Sequence, residues 1–173
     1  MHYGAIKMTD VANGPGVRVT LFVSGCPHHC EGCFQPETWN YRYGEPFTRE
    51  VEDRILEGLA PDFITGLTLL GGEPMEPSNQ EGLIGLLRRV HERYPHKSIW
   101  CFTGYDFERD ILGDMCHRLP YTREILGYLD VLVDGPFEID KKQWNLKFKG
   151  SWNQRSIKVQ ESLDQKKIVL WDA

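Results

Sequence analysis

The stretch VRVTLFVSGCPHHCEGC, residues 17–33, decides how this chain is read. Its first seven residues, Val17 to Val23, are β-branched, aromatic or aliphatic at nearly every position, and Ser24-Gly25 stops the run, as expected for a strand. The loop that follows carries Cys26, Cys30 and Cys33 in a C-x3-C-x2-C spacing. Three thiolates on one short loop suit three corners of an iron–sulfur cube, and they leave the fourth iron open, as a reactive centre requires. The alternative is a noncatalytic zinc-binding interaction module in which His28 or His29 completes the set. Zinc ribbons, however, bring two separated cysteine knuckles, and only one is present. Cys101 and Cys116 show no paired spacing and read as small core residues; His28 and His29 read as polar loop residues.

Outward from this loop, strand-like and helix-like segments alternate. Thr48 can cap a helix with apolar positions Val51, Ile55 and Leu59. Leu67 to Leu70 reads as a buried strand stopped by Gly71-Gly72. Ser78 to Glu81 has the form of a capping box ahead of a helical face of Leu83, Leu87, Val90 and Tyr94. Ile99 to Phe102 reads as a strand, then comes a helical region broken near Pro120, then a strand over Leu129 to Val133. Ser156 to Val159 and Lys167 to Trp171 close the pattern as weaker strands. Such alternation implies βαβ units and an α/β fold: an incomplete (βα) barrel of about four to six units, an open parallel sheet covered by helices. A full eight-unit barrel needs about 250 residues and does not fit in 173. A single domain over residues 1–173 is expected.

Each of the first four strands in this reading ends in a distinctive turn: the cysteine loop, Gly71-Gly72-Glu73-Pro74, Thr103-Gly104-Tyr105 and Asp134-Gly135-Pro136-Phe137. In a parallel sheet these strand ends share one side, where α/β proteins build ligand sites. Adjacent glycines let a ligand approach the backbone, and Glu73 offers a carboxylate to an ammonium group. Trp39 and Trp100 read as core aromatics, and Asn153-Gln154-Arg155 as residues that cap and solvate the last strand.

Composition sets outer limits. Twenty basic against twenty-five acidic residues give a net charge of −5, which offers no footprint for nucleic acid or an anionic membrane. No stretch approaches the roughly 20 apolar residues of a membrane span. Met1 to Asp10 lacks the apolar core of a secretory signal, so a cytoplasmic location is expected.

With these residues in view, the chain resembles the radical S-adenosylmethionine superfamily through its cysteine loop, Phe34 and the Gly-Gly-Glu-Pro turn. Within it the chain is similar to activating proteins of anaerobic (class III) ribonucleotide reductases. The segments that carry this are Asn13 to Arg18, Ser24-Gly25-Cys26, Pro36-Glu37-Thr38-Trp39, Thr103-Gly104-Tyr105, Asp134 to Phe137 and Gly150 to Arg155. The resemblance implies a [4Fe–4S] cluster on Cys26, Cys30 and Cys33. It further implies S-adenosylmethionine held by Gly32, Cys33, Phe34, Gly71, Gly72, Glu73 and Thr103. Gln35 departs from the asparagine frequent in the family. The implied activity is reductive cleavage of S-adenosylmethionine, with electrons from a flavodoxin-type donor, and transfer of the radical to a glycine on the large subunit of the reductase. Asp134, Gly135, Pro136 and Phe137 are then candidates for docking that partner. A short radical enzyme acting on a small molecule, such as 7-carboxy-7-deazaguanine synthase, is the nearest alternative.

Overall fold

The computed structural model describes residues 1–172. In chain order the strands are β1 (His2–Asp10), β2 (Val17–Val23), β3 (Glu45–Pro46), β4 (Ile64–Gly71), β5 (Ser98–Phe102), β6 (Val131–Asp134) and β7 (Arg155–Lys158). The α-helices are α1 (Arg49–Gly58), α2 (Pro77–Arg93), the single turn α3 (Cys116–Arg118), α4 (Thr122–Tyr128) and α5 (Val159–Gln165), and a π-helical stretch, Phe107–Met115, runs into α3. All strands join one open sheet in the order β3-β1-β2-β4-β5-β6-β7.

The sheet departs from the uniform parallel repeat expected from sequence. β2, β4, β5 and β6 are parallel, joined by three helical crossovers, but β1, β3 and β7 are antiparallel to their neighbours. β1 escaped sequence reading because it is near the sheet edge: apart from Asp10 its residues are half-buried or exposed, so no apolar alternation marks it. The Lys167 to Trp171 strand does not form; an isolated bridge, Leu170 to Ile157, stands in its place.

Strand alternation sorts the side chains onto two unlike faces. Val19, Leu21, Leu67, Leu69, Ile99, Cys101, Leu132 and Ile157 pack against the helices and form the main core, which also takes in Ile55, Leu59, Leu83, Leu87 and Ile111. On the opposite face Trp100, Val131 and Val133 form a smaller cluster, covered by Phe148 and Trp171 from irregular chain rather than by helices. The helices therefore cover one face only, which leaves the other free for a site.

Helix α1 starts where the spacing places it, with Thr48 Oγ1 accepting from Val51 N at 3.4 Å. Helix α2 starts earlier than the Ser78 box suggests. Glu76 is its cap, accepting from Ser78 N at 2.9 Å and Asn79 N at 3.3 Å, and Pro77 occupies the first turn, where a missing N–H costs nothing. This frees Asn79 for work inside the protein.

At the end of the sheet away from the cysteine loop, Arg18 is completely buried. Its guanidinium donates to Thr68 Oγ1 (2.8 Å), Pro15 O (3.2 Å), Thr65 Oγ1 (3.3 Å), Ser98 Oγ (3.0 Å), Leu67 O (3.0 Å) and Ser98 O (2.8 Å). It thus ties β2, β4 and β5 to the turn before β2. Burial lowers its pKa to about 10, opposed by the charges of Asp130 and Asp10. A Cβ on Gly66 would lie 2.8 Å from the guanidinium and 1.9 Å from Ser98 O, so glycine is required beside it. Arg18→Met is expected to leave these buried acceptors without a donor and to lower the unfolding free energy by at least about 1–3 kcal/mol. Arg18→Lys will not restore it, because an ammonium cannot reproduce the planar fork. Urea unfolding followed by circular dichroism measures both.

Candidate active site

The four strand-end motifs meet as the sequence suggests, around a cavity of about 320 Å³ on the helix-free face. Cys26, Cys30 and Cys33 line one wall, Gly71, Gly72 and Glu73 another, and Thr103 and Gly104 a third. The floor is apolar. Phe22 pairs with Leu70 and Phe102 with Val133 across the sheet, so one side chain from each parallel strand contributes.

The cysteine loop is fixed by its backbone. Gly25 N donates to Thr38 O (2.7 Å), Glu73 N to Gly25 O (2.8 Å) and Gly72 N to Val23 O (2.8 Å). A Cβ on Gly72 would fall 2.5 Å from Gly25 O, and one on Gly71, whose φ is +112°, would fall 2.6 Å from Val23 O. The glycine pair is therefore needed for the close approach of the strand that leads into the cysteine loop, whereas the sequence argument assigned that role to a ligand. Asn79, missed as a site residue, is 1% exposed and donates to Ser24 O (3.0 Å), Gly25 O (3.3 Å) and Glu73 O (2.9 Å). Its only sequence signal is an asparagine in the first turn of a helix behind the Gly-Gly-Glu-Pro motif.

Glu73 is 1% exposed and its carboxylate is surrounded by donors. His28 Nε2 lies 2.7 Å from Oε1, which also accepts from Gly104 N at 2.7 Å; Oε2 accepts from Thr103 Oγ1 at 2.7 Å and Met75 N at 2.9 Å. These four match the roughly four acceptor positions of a carboxylate. His28, read from sequence as a free polar loop residue, is instead held between Glu73 and the edge of Tyr105, 4.5 Å away by ring centroids. Its side chain is 18% exposed and lines the cavity.

The thiols stand in a low-dielectric, acidic setting. Burial, helped by the charges of Glu73 and Cys30, pushes the Cys26 thiol up to about 11, and burial also raises Cys30. A metal that binds here must displace those protons. Among the described residues no three of His, Cys, Asp and Glu converge closely enough to hold a single ion. Three thiols lining one cavity, with His28 engaged by Glu73 and His29 stacked on Trp39, suit a multi-iron cluster. Cys101 and Cys116 are buried, as expected, and neither lines the cavity.

Other expectations need correction. Trp100 is a core residue at 1% exposure, but Trp39 is half-buried, lines the cavity and stacks on His29 at 4.5 Å with an interplanar angle of 8°. Asp134, grouped by sequence with a docking loop, is 2% exposed. It accepts from Phe107 N (2.9 Å) and from Arg155 Nε and Nη2 (3.1 and 2.7 Å), so its carboxylate anchors the π-helical stretch and β7. Arg155 also pairs with Glu108 at 2.9 Å, which assigns it an internal role where solvation was expected. Gly135 and Phe137 remain at the cavity, Pro136 is exposed beside them, and Phe137 packs on Phe34 at 5.0 Å. Gly32, at φ +74°, leaves no room for a side chain against Ile139, which ties the cysteine loop to this rim.

A known family similar to this chain carries an iron–sulfur description. Residues 12–157 match the family described as "4Fe-4S single cluster domain". A curated relative from Enterobacteria phage T4 is 44% identical over 158 residues, covering 90% of this chain and 92% of its own length. Relatives from Vibrio cholerae serotype O1 and Escherichia coli K12 are 42% and 38% identical over 156 residues, each covering 89% of this chain and 96% of their own. All three carry the name anaerobic ribonucleoside-triphosphate reductase-activating protein.

Because Glu73 joins three segments, Glu73→Gln places an amide N–H₂ against two donors. It is expected to destabilise the metal-free protein by about 1–3 kcal/mol, and Thr103→Val by less. Denaturant midpoints of the two variants check this order.

Proposed function

The chain belongs to the family of anaerobic ribonucleoside-triphosphate reductase-activating proteins, and from that membership and the three-thiol cavity we propose that it activates such a reductase by radical chemistry on S-adenosylmethionine. Cys26, Cys30 and Cys33 hold a [4Fe–4S] cluster. A reduced cluster held there would supply the electron for reductive cleavage of S-adenosylmethionine, the source of the radical passed to a glycine of the reductase large subunit. Every other part of the task falls to the protein: binding, orientation and exclusion of competing hydrogen donors.

Glu73 is the polar pole of this arrangement. Thr103, Gly104 and Met75 hold its carboxylate from strand ends and its own turn, while His28 holds it from the cysteine loop. An incoming methionyl ammonium would reach this carboxylate from the cavity side, where His28 of the cysteine loop, 18% exposed, lines the wall. Gly71 and Gly72 bring the turn against the cysteine loop, and Gly32, Cys33 and Thr103 complete the polar surroundings. Phe34, with Phe137 against it, flanks the adenine over the apolar floor. The open sheet acts as an incomplete (βα) barrel whose missing wall admits a macromolecule, and Gly135, Pro136 and Phe137 border that entrance. Electrons come from a flavodoxin-type donor in the cytoplasm. No helix among the described residues is long and apolar enough to cross a membrane.

The observation that carries this reading is the set of three cavity-lining thiols, with no fourth cysteine among the described residues lining that cavity. Anaerobic incubation with S-adenosylmethionine, reductant and a class III reductase is expected to give a glycyl radical by electron paramagnetic resonance; methionine release without any protein radical would point to a small-molecule substrate. Cys26→Ala, Cys30→Ala and Cys33→Ala should each lose the cluster, measured as iron and sulfide per chain. Cys101→Ala and Cys116→Ala should keep it, and loss of iron from either in a folded protein would refute the three-ligand assignment.

A further inference from the structure

The residues Lys141 to Arg155 carry five basic side chains and no acidic one, in a chain whose net charge is −5. Lys142 and Ser151 form an isolated antiparallel bridge, and Trp152 N donates to Lys141 O at 3.0 Å, so residues 142–151 leave and re-enter the fold at one neck. The loop is anchored from inside. Phe148, with φ +59°, packs on Trp100 and Trp171 at ring-centroid distances of 5.5 and 5.8 Å. This well-tethered loop nonetheless displays Trp144 at 95% exposure, beside Trp152 at 55% and Phe34 at 63%. An exposed tryptophan on an anchored loop is the side chain most often found as an interface anchor.

The charges around it are also unspent. Lys141 pairs with Glu138 and Lys149 with Asp172, but Lys142 and Lys147 make no ion pair among the described residues. Lys142 Nζ lies instead 5.1 Å from the centre of the Phe34 ring, and Lys147 Nζ 5.5 Å from that of Trp171. Between loop and sheet runs a groove of about 450 Å³ lined by Trp144, Lys142 and Phe148, which shares Phe34, Phe137 and Phe102 with the thiol cavity. A chain segment lying in the groove therefore leads directly to the cluster loop.

We propose that the 141–152 loop and its groove are the docking surface for an acidic, extended segment of the protein substrate, with Trp144 as the apolar anchor and Lys142 and Lys147 pairing with its carboxylates. This rests on the activation function stated above and extends it to a specific surface. The groove's direction sets the geometry, because a segment held there carries its neighbouring residues into the thiol cavity. The charge pattern sets the chemistry, since uncompensated lysines in an otherwise acidic protein repel basic segments and favour acidic ones.

The test uses the reconstituted holoenzyme, class III reductase, and either dithionite or a flavodoxin as reductant. For Trp144→Ala and for Lys142→Glu/Lys147→Glu, affinity for the reductase and glycyl-radical yield at subsaturating reductase should fall about tenfold or more with either reductant. Iron content and reductase-free cleavage of S-adenosylmethionine by Trp144→Ala should remain at the wild-type level, since its side chain touches solvent and not the thiol cavity. The surface assignment is overturned by any of three results: unchanged affinity and yield; a loss seen only with flavodoxin, which would make this the donor's surface; or cleavage falling in parallel with yield, which would make the loop part of the cofactor site. Wild-type protein that cleaves S-adenosylmethionine yet gives no glycyl radical on the reductase would instead defeat the activation function itself.

Discussion

A single buried carboxylate sets the arrangement of the site. Glu73 receives hydrogen bonds from His28 of the cysteine loop, from Met75 of its own turn, and from Thr103 and Gly104 at the end of β5. Burying such a group without partners would cost several kcal/mol, so these segments are held together by the same requirement that keeps the carboxylate satisfied. The backbone adds to this hold: Asn79 joins the cysteine loop to the Gly-Gly-Glu-Pro turn through three carbonyls, and the two glycines allow the strands to approach closely enough for that to happen. The cysteine loop is thus held from both its backbone and its side chains before any iron arrives.

The two ends of the sheet solve opposite problems with similar means. At the end away from the site, Arg18 satisfies oxygens of β4, β5 and the turn before β2 with one guanidinium, and its burial is tolerable because all of its donors are used. At the site end, Glu73 does the same with one carboxylate. Between them lies an apolar layer of Phe22, Leu70, Phe102 and Val133. The outcome is a cavity that is polar where Glu73 gathers its donors and apolar along the strand floor.

Helices cover only one face, and the second face is closed by irregular chain, including the basic loop anchored by Phe148. This asymmetry places the strand-end cavity on the face without helices. It also explains how an acidic protein can present a basic, aromatic rim at the mouth of its site, since that rim is a local property invisible in the net charge.

The sequence by itself determined the α/β class, the helices α1 and α2, the four central strands and the gathering of their end motifs at one place. Each of these follows from local periodicity and from the rule that parallel strands end on one side. The three loop cysteines were legible as a set because their spacing is local. Only the tertiary structure decided that β1 completes the sheet, that Glu76 and not Ser78 caps α2, and that Asp134 is an internal anchor for Arg155. It likewise decided that His28 and Asn79 belong to the site, through contacts to residues 45 and 54–55 positions away in sequence. A one-dimensional pattern records which side chains are apolar and how often they recur, but a buried polar group finds its partners only after the strands and loops that carry them have been brought together.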